Sequence, residues 1–169
     1  VKKHAMIPNK LEGVNQFGEE VTLKDMTGKN GIILYFIRSA DWSPYCKEQL
    51  IDLSRRGSAL EDYGYNIVTV SYDPVSKLER FTERYDFPYT MISDRSSEII
   101  RDFELFNALY PEGTAFHGVS RPAIYVIGHD GYIIDKFFEE DFKIRLYVED
   151  VEKMLQAAGD YTPQEQPIS

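Results

Sequence analysis

Residues 32–50 read IILYFIRSADWSPYCKEQL, and this stretch decides the fold. Its first six residues are all aliphatic or aromatic, which is typical of a strand buried on both faces of a sheet. After Ser43 the hydrophobic pattern changes: from Cys46 to Leu60, small or apolar residues recur every three or four positions, which is the spacing of one helix face. The stretch therefore predicts a central strand, a short loop and a helix that begins at Pro44 and ends near Gly64.

The rest of the chain predicts alternating strands and helices. Turn signals around Val21 indicate a small hairpin or extended lead-in and a short helical turn before the central strand. After the first long helix we expect, in order, a strand over 65–72, a helix capped by Asp73-Pro74, an extended piece over 87–92, a helix over 94–106, strands over 123–127 and 132–138 around the turn His129-Asp130-Gly131, and a helix around 148–155. This order predicts an α/β fold whose central mixed sheet is flanked by helices and carries an N-terminal hairpin extension.

Length and charge exclude several classes of protein. The 169 residues suit one domain, which we place over 1–160, with a disordered tail over 161–169. The net charge of −9 argues against a nucleic acid partner, since phosphate binding needs a basic surface. No apolar run approaches the length of a membrane span, so we expect a soluble protein, cytoplasmic or exported if a leader has been removed.

Cys46 is the only cysteine, and its position favours chemistry. With Ser43 as the N-cap and Pro44 as the first helical residue, Cys46 lies in the first turn of the helix. Backbone N–H groups there lack intrahelical partners and the helix end carries partial positive charge, so the thiolate is favoured over the thiol. A buried structural cysteine on the helix stripe is the alternative that position alone leaves open.

The motif around Cys46 resembles that of a known family. DWSPYCKEQL, residues 41–50, is similar to the P-x-x-x-T/S-x-x-C motif of peroxiredoxins of the alkyl hydroperoxide reductase and thiol-specific antioxidant type, often found within D-F-T-P-V-C-x-x-E-L. Looser similarity covers the lead-in ending in GEEVTL at Leu23, the segment from Ser71 to Asp94, and RPAIYVIGHDG from Arg121. The order of elements also resembles the thioredoxin fold of that family.

The resemblance implies a peroxidase mechanism. Cys46 would be the peroxidatic cysteine that attacks a hydroperoxide and becomes a sulfenic acid. Ser43 would hold the thiolate and the peroxide by hydrogen bonds, and Arg121 would be the cation that stabilises the thiolate. The partners implied are a hydroperoxide and an external thiol or thioredoxin-like reductant, because the chain has no second cysteine; no cofactor or metal is implied, and a homodimer is common in the family.

The chain departs from the family pattern in ways that keep other functions open. Ser39 stands at the motif's proline position, and Pro122, after Arg121, resembles the proline that thioredoxin-like proteins hold in cis. WSPYC is also similar to the thioredoxin W-C-x-x-C with Ser43 in place of the first cysteine. A thioredoxin-like thiol:disulfide oxidoreductase is therefore the second hypothesis, and a redox-inert relative used for binding is the third.

A few further residues are candidates for supporting roles. We expect Trp42 to pack beside the site, His117 to lie in a loop that can face Cys46, and Arg38 to be an alternative cation at the strand's end. The three histidines, His4 among them, are too scattered in sequence to predict a metal site.

Overall fold

The computed structural model describes residues 2–138 and 146–158, and its elements follow the predicted order. The elements are β1 (Gly13–Val14), β2 (Glu20–Val21), α1 (Leu23–Met26), β3 (Gly31–Phe36), α2 (Pro44–Arg56), α3 (Ser58–Glu61), β4 (Tyr65–Ser71), α4 (Val75–Tyr85), β5 (Thr90–Ser93), α5 (Glu98–Asp102), β6 (Ala123–Gly128), β7 (Ile133–Phe138) and α6 (Val148–Ala157). The predicted tail over 161–169 lies outside the described residues. None of the described helices is long and apolar enough to cross a membrane.

The strands form one mixed sheet of seven strands in the order β2-β1-β5-β4-β3-β6-β7. β4 is the central strand; β3 lies next to it, parallel to β4 and antiparallel to β6, while β4 and β5 are parallel and β6 and β7 antiparallel. The predicted mixed sheet with an N-terminal hairpin extension is confirmed, since β1 and β2 pair at the edge beside β5.

The apolar run of β3 is buried at every position because helices cover both faces of the sheet. Alternate residues of a strand point to opposite faces, so Ile33 and Tyr35 pack with side chains of α2, α4 and α6. Ile32 and Leu34 pack on the other face with side chains of α1 and α5. The loop over 38–43, called the Cys46 loop, therefore leads from a strand that is buried at every position to the helix that carries Cys46.

The helix that carries Cys46 is shorter than predicted. It ends at Arg56, and Gly57 separates it from the short α3. A Cβ at position 57 would overlap the Tyr89 hydroxyl and the Leu53 carbonyl. Only glycine therefore fits between the end of α2 and Tyr89, the residue before β5.

The predicted helix over 94–106 is also too long. Only Glu98–Asp102 is helical, because Ser97 (φ 60°) and Glu104 (φ 63°) adopt left-handed backbone conformations on either side. Asp94 precedes this helix, and its carboxylate accepts the N–H groups of Ile99 and Ile100.

Candidate active site

Cys46 lies in the first turn of α2, as predicted. Ser43 is the N-cap, and its Oγ accepts the N–H of Cys46 at 3.4 Å, while Pro44 is the first helical residue. The side chains of Ser43 and Cys46 are both completely buried. The predicted cap geometry is confirmed, and it directs the unpaired N–H end of a 13-residue helix toward the thiol.

A backbone group of the preceding loop also reaches the sulfur. The N–H of Arg38 donates to Cys46 Sγ at 3.3 Å. A sulfur anion accepts such a bond more strongly than a neutral thiol does, since hydrogen bonds to charged groups are the stronger ones. The exit of β3 and the start of α2 together form a polar setting for a charged sulfur inside the core.

The side chain of Arg38 is held by aromatic residues. Its side chain is buried, its Nη2 donates to the Tyr110 hydroxyl at 3.3 Å, and its Cζ lies 4.7 Å from the centroid of the Trp42 ring. A guanidinium on the face of an indole gains a cation–π attraction that fixes its position. Of the two arginines considered from the sequence, only Arg38 contacts Cys46 among the described hydrogen bonds, and it does so through its backbone N–H.

Arg121 has a different environment. Its side chain is exposed, and its described hydrogen bonds are made by its backbone: the N–H donates to Leu105 O, and the carbonyl accepts from Ser120 Oγ. Pro122 is buried, but no cis peptide bond occurs among the described residues, so the expectation of a cis proline is wrong. The hydrogen bond between the backbones of Arg121 and Leu105 lies two residues before the start of β6.

A buried carboxylate organises the loop between Arg38 and Ser43. Asp73 accepts hydrogen bonds from Ser39 Oγ at 2.7 Å, from the N–H of Ala40 at 2.8 Å and from Ser71 Oγ at 2.9 Å. Ser39 Oγ in turn accepts the N–H groups of Asp41 and Trp42. The serine at the motif's proline position thus links the loop to the carboxyl end of β4.

Asp73 was predicted to cap α4, and this prediction is wrong. The N-cap of α4 is Pro74, and the Asp73 carboxylate accepts its hydrogen bonds from residues of β4 and the Cys46 loop. Burial raises the pKa of Asp73 above its ordinary value, although the three donors favour the ionised form and oppose that rise.

An aromatic cluster covers one side of the loop. Trp42 Nε1 donates to the Tyr72 hydroxyl at 2.9 Å, and the Trp42 ring packs on Phe116 with centroids 4.5 Å apart. Tyr72 in turn donates to the carbonyl of Ala115 at 3.1 Å. Trp42 therefore packs beside the site, and it ties the segment around residue 115 to the start of α2.

His117 belongs to the same surface. Its Nδ1 lies 3.0 Å from the carbonyl oxygen of Tyr110, and since a carbonyl only accepts, this nitrogen carries the proton. Together with Trp42, Tyr72 and Asp73, His117 lines a cavity of about 370 Å³. The structure thus places His117 on the aromatic side of the Cys46 loop.

The sequence reasoning missed Asp73 and underrated Arg38. A signal for Asp73 was available, because it lies two residues after β4 and the loop with Ser39 follows the neighbouring parallel strand β3. Carboxyl ends of adjacent parallel strands meet at one edge of the sheet. As for metals, the residues described here contain no cluster of three or more His, Cys, Asp or Glu side chains arranged to hold an ion.

The chain is similar in sequence to known proteins over most of its length. The sequence profile of the AhpC/TSA family matches residues 4–136. Peroxiredoxin Bcp of Escherichia coli K12 is 30% identical over 129 residues, which is 76% of this chain and 80% of that protein. The chloroplastic Peroxiredoxin Q of Gentiana triflora is 25% identical over 156 residues, covering 90% of this chain and 66% of that one.

The same fold occurs in solved structures. The crystal structure of Peroxidoxin BcpB from Mycobacterium tuberculosis superposes with a TM-score of 0.78 at 19% identity, covering 96% of this chain and 99% of that one. A cysteine-to-serine mutant of the Peroxiredoxin 6 of Arenicola marina gives a TM-score of 0.79 at 15% identity, covering 94% and 72% of the two chains. At these identities the likeness establishes the thioredoxin-like fold, which was expected.

Proposed function

The chain belongs to the AhpC/TSA family, and from that premise we propose that it is a thiol-dependent peroxidase in which Cys46 is the nucleophile. The observation that carries this is the sulfur in the first turn of α2, with the Arg38 N–H donating to it. The relatives matched over most of the chain are peroxiredoxins, which disfavours the thioredoxin-like oxidoreductase and the redox-inert relative.

The reaction follows from the chemistry of a thiolate and a peroxide. The Cys46 sulfur attacks the terminal oxygen of the hydroperoxide, the S–O bond forms and the O–O bond breaks. The sulfur is oxidised to a sulfenic acid, and the leaving oxygen takes a proton to become an alcohol, or water when the substrate is hydrogen peroxide. The two electrons come from the sulfur, so no cofactor is required in this step.

Ser43 and Arg38 are the groups best placed to support this step. Ser43 fixes the first turn of α2 through the N–H of Cys46, which keeps the sulfur at the helix end. Arg38 is buried and rigidly held, so it can stabilise negative charge on the sulfur and on the leaving oxygen. Arg121, exposed at the entry to β6, contributes less in this arrangement.

The sulfenic acid must be reduced from outside, because the sequence contains one cysteine. A first external thiol condenses with the sulfenic acid to give a mixed disulfide and water. A second thiol, as its thiolate, then attacks this disulfide and releases Cys46 with the oxidised reductant. Cys46 is completely buried in this conformation, so both steps require movement of the segment that covers it.

Trapping of the sulfenic acid tests the proposal. The folded protein is mixed with hydrogen peroxide or an organic hydroperoxide, and the product at Cys46 is captured with a 1,3-dione and measured by mass spectrometry. The matched control is the same chain in urea, where Cys46 is an ordinary exposed thiol. We expect the folded protein to react at least about a hundred-fold faster; an equal or slower rate when folded contradicts the proposal.

A pair of arginine variants tests the assignment of the cation. Arg38→Gln keeps a polar side chain that can donate hydrogen bonds but removes the charge, and we expect sulfenic acid formation to slow by roughly ten- to a hundred-fold. Arg121→Gln is the matched control and should change the rate by less than about three-fold. A larger effect at Arg121 than at Arg38 would contradict this assignment and make Arg121 the cation, as the family resemblance implies.

A further inference from the structure

A second cavity is lined by Ala40 and Asp41 of the Cys46 loop, and the rest of its wall is largely cationic. It has a volume of about 210 Å³, and its lining residues include Lys47, Lys77, Arg80 and Arg84, with Phe81 and Tyr85 as aromatic parts of the wall. We call it the cationic cavity. Four cations around one small cavity are unexpected in a chain whose net charge is −9.

The spacing of α4 explains how the cations come together. Lys77, Arg80 and Arg84 lie at helical steps of three and four, so they share one face of the helix. α4 is anchored by Leu78, which is completely buried in the core. Lys47 joins them from α2, where it directly follows Cys46.

The positive charge of the cationic cavity exceeds its negative charge. Asp41 is the one acidic residue in its lining, and it pairs with Lys77 at an Nζ–Oδ2 distance of 3.6 Å. Arg84 lies with its Cζ 5.6 Å from the centroid of the Tyr85 ring, which orders the side chain without neutralising its charge. Lys47 and Arg80 make no ion pair with any acidic side chain in the described part of the chain. The cavity therefore has charge left over for a ligand.

The cationic cavity is connected to the candidate active site through its wall. Ala40 and Asp41 belong to the loop between Arg38 and Ser43, and Ala40 is held by the buried Asp73. This loop leads directly into the first turn of α2, which holds the buried sulfur. A molecule bound in the cavity thus lies beside the loop that precedes Cys46 and next to Lys47, the residue that follows it.

We propose that the cationic cavity binds a small thiol that carries carboxylate groups, and that this thiol is the reductant of oxidised Cys46. The inference rests on the proposed function, because it names the class of external thiol which that function requires. The carboxylates pair with the cations Lys47 and Arg80, and the planar guanidinium of Arg84 can donate two hydrogen bonds to a carboxylate. The thiol then condenses with the sulfenic acid, giving a mixed disulfide and water, and a second thiol releases Cys46.

The size of the cavity favours a small molecule. Its volume of about 210 Å³ is below the range of roughly 300–1,000 Å³ that is usual for drug-sized ligands. A thiol with a few carbons and one or two carboxylates fits such a space. A reducing protein that docks on this face is the competing reductant, and it predicts no selectivity among small thiols.

A comparison of three thiols tests the proposal. Cys46 is first converted to the sulfenic acid with hydrogen peroxide, and its reduction is followed with mercaptosuccinate, 2-mercaptoethanol and cysteamine, which are anionic, neutral and cationic. The variant is Arg80→Gln/Arg84→Gln, and Arg55→Gln, at the far end of α2, is the matched control. Taking the ratio of rates for each protein cancels the intrinsic reactivity of the thiols.

We expect the double variant to lose about ten-fold in the ratio of mercaptosuccinate to 2-mercaptoethanol, with cysteamine slowest in the wild type. The preference should also disappear near 1 M salt, where the Debye length is about 3 Å. Arg55→Gln should leave the ratio unchanged, and all three proteins should form the sulfenic acid at one rate. An unchanged ratio in the double variant overturns the proposal.

A binding measurement separates this proposal from the proposed function. Succinate, which cannot reduce sulfur, is titrated into the wild type and the double variant while amide chemical shifts are followed by NMR. Shifts around Lys47 and Arg80 that vanish in the double variant support the cationic cavity, even if peroxide forms no sulfenic acid and the peroxidase proposal fails. Absence of succinate binding to the wild type overturns the inference whatever the reactivity of Cys46.

Discussion

Two buried aspartates at the carboxyl ends of neighbouring parallel strands serve different purposes. Asp73 comes two residues after β4 and Asp94 directly after β5, and both side chains are almost fully buried. Burial raises the pKa of each carboxyl above the ordinary value of 3.8, while hydrogen bonds from nearby donors oppose the rise. Their local chemistry is therefore the same.

The two carboxylates differ in how far along the chain their donors lie. Asp94 accepts N–H groups only five and six residues ahead, so it organises the start of α5. Asp73 accepts from Ser39 and Ala40, 34 and 33 residues back, in the loop that leads to Cys46. Only Asp73 joins separate segments, and only its removal should affect the sulfur.

The largest effect is expected from Asp73→Ala. The change leaves the hydroxyls of Ser39 and Ser71 and the N–H of Ala40 buried without their acceptor. We expect the free energy of unfolding to fall by about 3 kcal/mol, since each unsatisfied buried donor costs roughly 1–3 kcal/mol and relief of the buried charge offsets part of this. Sulfenic acid formation per folded molecule should slow about ten-fold, measured by urea unfolding and dione trapping.

Asp94→Ala is the matched change and should have a smaller effect. It removes a cap on α5, and we expect a loss of about 1–2 kcal/mol in the free energy of unfolding. The rate at Cys46 should stay within about two-fold of the wild type. If Asp94→Ala slows Cys46 as much as Asp73→Ala does, the distinction between the two aspartates is wrong.

The two serines that donate to Asp73 sharpen the comparison. Ser39→Ala and Ser71→Ala each remove one hydroxyl from the same carboxylate, and each should cost about 1 kcal/mol in the free energy of unfolding. Ser39 also accepts the N–H groups of Asp41 and Trp42, so only Ser39→Ala should slow sulfenic acid formation, by about three- to five-fold. Equal rates in the two variants would show that the loop does not depend on Ser39.

Local signals in the sequence predicted what is local in the structure. The buried strand β3, the Ser43 cap of α2 and the hairpin of β6 and β7 each depend on residues within a few positions of one another. The helix over 94–106 was overpredicted because its apolar spacing is helical, whereas the left-handed residues Ser97 and Glu104 are decided by the packing around them.

The contacts that assemble the site depend on distant parts of the chain. Asp73 next to Pro74 matches a helix cap locally, and the competing hydrogen bonds from Ser39 and Ala40 are visible only once β3 and β4 are paired. The choice between Arg38 and Arg121 is of the same kind. Both flank strands of the sheet, but only the loop after β3 turns back on Cys46.

The smallest effect is expected from pH, and there the two aspartates should agree. Because burial raises the pKa of Asp73 and Asp94 in the folded protein above 3.8, the folded state binds more protons than the unfolded state between 3.8 and the raised pKa. Ionisation of each carboxyl therefore disfavours folding at neutral pH relative to its protonated form, and this cost is removed as the pH falls through that window.

Asp73→Asn and Asp94→Asn each replace the ionisable carboxyl with an amide, so the difference between the wild type and either variant reports the titration of that one aspartate. We expect the free energy of unfolding of the wild type, minus that of either variant, to rise as the pH falls from 7 to 4, since the folded state takes up the proton before the unfolded state does. Urea unfolding at several pH values measures it. A difference that instead falls with pH would mean that the hydrogen bonds outweigh burial and lower the pKa, and the aspartate showing it would then stabilise the fold as a carboxylate.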